Sequence, residues 1–589
     1  MTGFDALLSS DCYKIFHAKA GHPDITHTYE NFTNRSNKLS NVKNNGHVVN
    51  LGWQYVIKKH LIERWSDTFF NVSKEKAVSR YKMITKSILG YDVDATHLEE
   101  LHDLGYLPLQ IKTYPEGTLV PYGVASATFE TTVGGFEWLV GMLETVISQE
   151  IWPLQTAATT SLAYQRKQKE LFEATGAPLE LLPFMIHDFS ARGMFGEEAS
   201  AMSGFGHLAA GSVGSDTIAA GMFAEKYYNA NWETDFIMAS VNATEHSVTC
   251  GWMEEGEYVY FKHLMENVAP TGILAVVSDT WDFWHTVTKI ASDLKEVIMN
   301  RDGKLVFRPD SGDPVDILCG TYSQVVPEFF KEQMTDKWED EISDFFVDDV
   351  DGEMSEDCGE GYSCGDAANR LFTLDGELFQ ANFSVEVTSQ KQDRGDRMYW
   401  VDDVSLVNIT SKVLSPEEKG LVEVLWDTFG GTTTDKGFKM LDEHVGAIYG
   451  DAITLERQAQ IGERLMAKGF VPQVVLGVGS YSFQFVTRDT HGSAMKATNV
   501  TKQDTAASDL GVDTFTYDQP IFKDPKTDAK KKSAKGLLRV EREEGELVQY
   551  DMQTRGQETQ GELQLVFKDG ELLVNQSLED IRHVVASQL

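Results

Sequence analysis

Cysteine is scarce in this chain. Five stand among 589 residues: Cys12, Cys250, Cys319, Cys358 and Cys364. An odd, small number in a long chain argues against a disulfide framework and for free thiols in a reducing compartment. Cys358 and Cys364 are close, but no second Cys/His pair completes a zinc pattern. Positive charge is also in deficit, with 52 Lys and Arg against 90 Asp and Glu, a net charge of −38. That excludes nucleic-acid binding through a global positive field, but not a local cationic pocket for phosphates. No run reaches the roughly 18 apolar residues of a membrane span. The start, "MTGFDALLSSDCYK", has neither the basic nor the apolar stretch of a leader. A cytoplasmic protein is expected, with no membrane partner. HExxH, a Walker Gly-Lys-Ser/Thr loop and a Gly-x-Ser-x-Gly elbow are missing too.

What the chain does have is a repeated grammar. Short apolar runs end in polar residues and lead into helical stretches. "PFMIHDFSARG", "DFIMASVNATEHS", "GILAVVSDTWD", "KLVFRPDSGDP", "VGAIYGDAIT" and "PQVVLGVGSYS" are six such runs. "SDTIAAGMFAEKYY" reads as a helix opened by a Ser/Asp cap, and "TLERQAQIGERLMAKGF" as one closed by Lys-Gly. Alternating strands and helices predict a parallel sheet. At least six strand ends carry reactive-looking residues, which favours an irregular TIM-like α/β barrel over an open sheet.

The flanks differ. "GHPDITHTYENFTNRSNK" and "YLPLQIKTYPEGTLVPYGVASATFETT" alternate like antiparallel strands, as do "GLLRVERE", "ELVQYDM" and "LQLVFKDGELLVNQS" near the end. The expected organisation is an α+β domain built from residues 1–150 with 490–589, and a catalytic barrel over 151–489. Residues 319–420 form an acidic insertion within the barrel, dense in Asp and Glu over 331–360.

Single motifs carry little weight. A lone His is more often a satisfied structural residue than a catalyst, and His187 and His207 read first as structural. Glu245-His246 pairs an acid with an imidazole at a strand end. "RPDSGDP" offers Arg308 and Asp310 to grip a polar ring substituent and a sugar hydroxyl. The Gly-rich "LGVGSYSFQFVTR" suits a phosphate, with Arg488 nearby. "FKDPKTDAKKKSAKG" reverses the local charge and reads as either a solvated face or a polyphosphate clamp. Phe189 supplies a ring for stacking. Together these describe a ligand with phosphates, a sugar and an aromatic ring.

With "SDCYK", "HDFSARG", "GSDTIAAG", "ATEHS", "VVSDTWD", "RPDSG", "FKDP" and "VFKDGELLVNQSLEDIR" in this order, the chain resembles the nicotinamide phosphoribosyltransferases, type II phosphoribosyltransferases. The resemblance implies a barrel-like α/β domain plus an α+β domain, in a homodimer with shared active sites. It implies transfer of phosphoribose from phosphoribosyl pyrophosphate to nicotinamide, giving nicotinamide mononucleotide and pyrophosphate. Phe189 and a second subunit's Tyr13 would sandwich the pyridine. Asp216 would accept the carboxamide N–H, with Ser240 among the substrate-binding residues, and Ser278 and Arg308 would hold the carboxamide oxygen. Arg192 would face the phosphates, joined by Arg35, Lys496, Lys523 and Lys531 of the opposite subunit. Asp310, Gly450 and Asp451 would bind ribose hydroxyls; Gly479, Ser480 and Arg488 the 5′-phosphate. His246 would be the histidine phosphorylated when optional ATP hydrolysis is coupled to synthesis, supported by Glu245 and Asp282. Mg²⁺ would sit mainly on the pyrophosphate, without a dedicated protein site.

Two stretches depart from the family pattern. Ala452 stands where Gly-Asp-Gly is usual, and Ser480 and Tyr481 interrupt the glycine run. Nicotinate is the rival substrate, and a scaffold acting through the acidic insertion the rival class. Asp216 discriminates between the two bases: at ~4 Å, like charges cost on the order of 1 kcal/mol in water and about 4 at an effective dielectric of 20. A carboxylate there favours the amide.

Overall fold

The computed structural model describes residues 4–43, 45–321, 327–359, 368–391, 397–504, 515–523 and 534–588. The chain opens with strands β1 (Ile25–Asn34), β2 (Leu109–Thr113) and β3 (Ala125–Thr131). A 37-residue helix, α1 (Leu139–Thr175), follows. At 1.5 Å per residue it is about 55 Å long, and it packs on both the sheet and the barrel.

The barrel comes next. Its strands are β4 (Ile186–Asp188), β5 (Gly214–Ser215), β6 (Asn242–Ala243), β7 (Leu274–Val277) and β8 (Leu305–Arg308). After the inserted lobe come β13 (Val445–Tyr449) and β14 (Val474–Val478). They pair in the order β5-β4-β14-β13-β8-β7-β6, all parallel. The two ends meet where Ser215 N–H donates to Ala239 at 3.0 Å and Ala239 N–H donates to Val213 at 2.7 Å. Seven strands therefore close the ring. Six were visible in the sequence; β5 is only Gly-Ser, too short to show a pattern.

Side chains alternate along these strands. Ala275, Val306 and Ile448 point inward and pack with Phe189, while Leu274, Val276, Leu305 and Phe307 meet the outer helices. Both faces are apolar, as parallel sheets require. Helix α2 (Glu197–Ala209) joins β4 to β5, and α3 (Ile218–Tyr228) follows β5. The expected Ser/Asp cap of α3 is not made: Thr217 holds the cap position, and Asp216 points elsewhere. Short α4 (Pro314–Cys319) follows β8, and its cap, Asp313, accepts from Val315 and Asp316 N–H.

The lobe holds β9 (Glu328–Phe329), α5 (Trp338–Gly359), β10 (Ala368–Leu374), β11 (Glu377–Lys391) and β12 (Arg397–Ser411). These strands form one sheet with its own core around Phe346, Phe372 and Phe383. Helix α6 (Leu455–Ala467) links β13 to β14, with Thr454 as its side-chain cap. Short α7 (Ser480–Gln484) follows β14.

The chain end returns to the first sheet. β15 (Ser493–Gln503), β16 (Thr516–Pro520), β17 (Gln564–Lys568) and β18 (Glu571–Leu572) complete the order β16-β15-β1-β3-β2-β17-β18. Its pairs are antiparallel. Asp569 and Gly570 turn the last hairpin at φ 49° and 90°, as an Asp-Gly turn with two left-handed residues demands. Helix α8 (Leu578–Ala586) ends the fold behind a Ser577–Asp580 capping box.

Candidate active site

The C-terminal ends of the barrel strands enclose a cavity of ≈ 900 Å³. Phe189, just past β4, forms one wall. Its ring packs at 4.8 Å from His187, and the Arg308 guanidinium lies 5.3 Å from its centroid. Two glycines make room for it. A Cβ on Gly450 would come within 3.0 Å of the ring, and one on Gly477 within 2.2 Å.

Asp216 follows β5. Its Oδ1 accepts from His187 Nε2 at 3.0 Å and from the Ser240 hydroxyl. Burial raises this carboxyl, but the hydrogen bonds from His187 and Ser240 and the charge of Arg308 outweigh it, and the net effect is a pKa below the ordinary value. The group is therefore ionised at neutral pH. Its second oxygen makes no hydrogen bond to a described residue. Asp188, fully buried, instead accepts from Ser190 N–H and the Ser215 hydroxyl, holding the turn that carries Arg192. Arg192 is exposed on the wall and forms no ion pair among the described residues.

Arg308 ends β8 and Asp310 follows it, both lining the cavity, with Arg308 Nη2 3.9 Å from Asp310 Oδ1. Glu245 and His246 follow β6, also on the wall. His246 Nδ1 lies 3.1 Å from the Thr280 hydroxyl, and Nε2 is 3.6 Å from Asp279 Oδ1. Gly450, Asp451, Gly479 and Ser480 complete the rim. The Ser480 hydroxyl fits against Gly193, where a Cβ would approach it to 2.0 Å. Burial and the nearby Asp451, Asp310, Asp279 and Asp313 push the Tyr449 phenol up, marking a crowd of carboxylates where β7, β8 and β13 end.

Other expected residues lie elsewhere. Ser278 is fully buried, with its hydroxyl given to Val276 O at 2.7 Å, and it does not reach the cavity. Asp282 caps the helical turn Phe283–His285, and it is Asp279 that faces His246. Asp279 is the second residue after β7 ends at Val277, so the strand-end rule could have found it. His187 was visible but had no assigned partner; its bond to Asp216 gives it one. His207 is structural, held between Ser161 and Gly214 O.

A second cationic group gathers on the sheet domain. Arg35 donates to Gly492 O at 2.9 Å. Burial lowers the Lys496 pKa, and the charges of Arg35 and Arg488 lower it further. None of the three lines the cavity. Tyr13 is exposed, its ring edge-on to His17. Lys523 is exposed outside the cavity, and Lys531 lies outside the described residues.

A parallel barrel with a large cavity lined by charged side chains at its strand ends defines an enzyme of the α/β-barrel class, which builds sites from the loops after its strands. Aromatic ring, guanidinia and carboxylates suit a charged ligand bearing a flat ring. The chain belongs to the nicotinate phosphoribosyltransferase (NAPRTase) family, whose profile matches residues 184–353 and 358–571. It is 37% identical over 590 residues to nicotinamide phosphoribosyltransferase of Acinetobacter baylyi, covering 98% of this chain and 96% of that one. To nicotinamide phosphoribosyltransferase of Mycoplasma pneumoniae it is 26% identical over 528 residues, covering 85% and 90%. A solved nicotinate-nucleotide pyrophosphorylase from Pyrococcus furiosus aligns with TM-score 0.48 and 12% identity, over 100% of this chain and 97% of that one. The family resemblance read from the motifs is borne out.

Proposed function

We propose that the protein transfers the phosphoribosyl group of phosphoribosyl pyrophosphate to nicotinamide, yielding nicotinamide mononucleotide and pyrophosphate for NAD salvage. One observation carries the choice of base. An ionised Asp216, tied through one oxygen to His187 and Ser240, stands near the Arg308 that packs over Phe189. A carboxamide can donate N–H to the second oxygen; the carboxylate of nicotinate would be repelled.

The chemistry follows from position. Phe189 stacks the pyridine, and Arg308 holds the carboxamide oxygen. Asp310 and Asp451 take ribose hydroxyls. The C1–O bond to pyrophosphate breaks through an oxocarbenium-like state, and the pyridine nitrogen lone pair forms the new C1–N bond. No proton transfer or covalent nucleophile is needed. Arg192 stabilises the departing pyrophosphate, and Gly479 and Ser480 receive the 5′-phosphate. The cavity offers hard oxygen donors from Asp310 and Asp451 that fit Mg²⁺. When bound, the ion neutralises charge on the diphosphate. The described group with metal-ligand spacing, His60, Glu150 and Glu198, does not line the cavity. With ATP present, an imidazole nitrogen of His246 takes the γ-phosphoryl group as its bond to ADP breaks and ADP leaves, the ring steered by Thr280 and Asp279.

The Arg35, Lys496 and Arg488 cluster lies outside the cavity of its own chain. We assign it, with Tyr13, Lys523 and Lys531, to the cavity of a second copy in a homodimer. Exposed apolar side chains at the barrel mouth, Phe195, Ile218, Tyr481 and Phe485, favour that contact. The free thiols of Cys12, Cys250 and Cys319 suit a cytoplasmic location. Among the described residues no helix is long and apolar enough to cross a membrane.

The test is a product assay by mass spectrometry with phosphoribosyl pyrophosphate, Mg²⁺, and both bases in competition, with and without ATP. Nicotinamide mononucleotide should dominate. Nicotinate mononucleotide would overturn the base, and no product from folded protein would overturn the activity.

A further inference from the structure

Ala452 carries the backbone at φ 53°, a left-handed conformation that its Cβ disfavours. It directly follows Gly450 and Asp451, which line the cavity. Such a conformation persists only where the surroundings enforce it, and one contact here can do so. Arg457 Nη1 donates to the Ala452 carbonyl at 2.7 Å. Arg457 itself lies outside the cavity, in the first turn of α6, where its N–H donates to the Thr454 hydroxyl at 3.2 Å.

The same guanidinium turns toward a second loop. Nη2 is 3.8 Å from Asp313 Oδ2. Asp313 caps α4, immediately after the turn that holds Arg308 and Asp310. That turn is also tied to β13, because the Tyr449 hydroxyl donates to Gly312 O at 2.8 Å. Arg457 thus spans the two loops that present Asp310 and Asp451, and it touches neither carboxylate.

We propose that Arg457 is a positioning residue for the ribose side of the cavity. It pins the left-handed Ala452 turn and couples it to the Asp310 loop, so that both carboxylates face the sugar together. This rests on the phosphoribosyl-transfer reading. On the pyridine side, Phe189 and Asp216 follow β4 and β5, and Arg308 is held within β8, paired with Val277, ahead of the coupled turn. Loss of the clamp should therefore weaken the sugar-phosphate substrate selectively.

The variants are Arg457→Ala, Arg457→Lys and each of these with Ala452→Gly, because glycine adopts the left-handed turn without a clamp. In Arg457→Ala the KM for phosphoribosyl pyrophosphate should rise about fivefold or more, with a clearly smaller rise in the KM for nicotinamide. Arg457→Lys should recover part of the loss, and Ala452→Gly most of it. Equal rises in both KM values, or a loss undiminished by Ala452→Gly, would overturn the proposal. Cleavage at the exposed Asp451 by an Asp-specific protease reads the turn without substrate. It should be several-fold faster in Arg457→Ala than in the parent and slowed again in Arg457→Lys; unchanged cleavage would also overturn the proposal. If the parent makes no nucleotide but the cleavage difference appears, the transfer reading fails and the clamp stands.

Discussion

Two carboxylates, one at the barrel mouth and one in the core beside the sheet, have similar partners and opposite fates. Asp216 accepts from His187 and Ser240; Glu116 accepts from Gly52 N–H at 2.7 Å, Gln54 N–H at 2.6 Å and the Tyr228 hydroxyl at 2.9 Å. Glu116 is buried among apolar side chains, and burial overrides its three donors and raises its pKa. Asp216 is about half exposed, and there the donors win. Burial decides the sign. Glu116 spends its oxygens on joining the turn at Gly52 to α3, whereas Asp216 keeps one for a ligand.

The sharpest way to break the contrast is Glu116→Ala. Three buried donors lose their acceptor, at a cost of about 3–5 kcal/mol. Thermal unfolding should shift down strongly, with kcat/KM per folded molecule unchanged. A variant with parental stability would show that water replaces the carboxylate.

A second buried acid extends the comparison by pH. Glu30 is pushed up to about 7 by burial and by the charge of Glu144, against Lys14 and Lys496. The native chain holds a proton there that the unfolded chain releases near the ordinary value of 4.5. Stability is thus lost as pH rises from about 4.5 to 7, by up to about 3 kcal/mol. Denaturant titrations should show wild type falling relative to Glu30→Gln across that window and running parallel above it. Parallel curves throughout would mean that Glu30 titrates in the native chain as it does in the unfolded one.

At the mouth, Asp216→Asn should leave stability nearly unchanged and compress the preference for nicotinamide over nicotinate. Half-exposure puts the repulsion between its water and protein limits, about 2 kcal/mol or some thirtyfold in the ratio of kcat/KM values. An unchanged ratio would move the selectivity elsewhere. The smallest expected effect is Gly477→Ala, whose methyl group would strike the Phe189 ring and press on the Gly450 Cα. Displacing the ring should cost about 1–2 kcal/mol, read as a rise of roughly tenfold in the KM for the base together with a lowered Tm.

Much of the site was legible because parallel strands put their chemistry at one end. His246, Arg308, Asp310 and Asp451 each sit just past or at the end of an apolar run, and the structure brings all four to one cavity. Ser278 follows the end of β7 in the same way, but its hydroxyl turns back to Val276. Asp282 shows that a carboxylate three residues before a helical N–H is a cap as readily as a catalyst. Local pattern puts Asp216 in a helix cap, and the pull of His187, twenty-nine residues earlier, redirects it.

The amino-acid sequence by itself determined the alternation of strands and helices, the antiparallel flanks, and the set of residue types that can hold a flat ring, a sugar and phosphates. Those properties are local, written in periods of two and 3.6 and in the polar residues that close each apolar run. Only the tertiary structure decided that a two-residue Gly-Ser strand closes the ring, that Asp279 rather than Asp282 faces His246, and that Arg457 clamps Ala452. Each of these depends on which turns lie side by side when the barrel closes, and on how deeply a carboxylate is then buried.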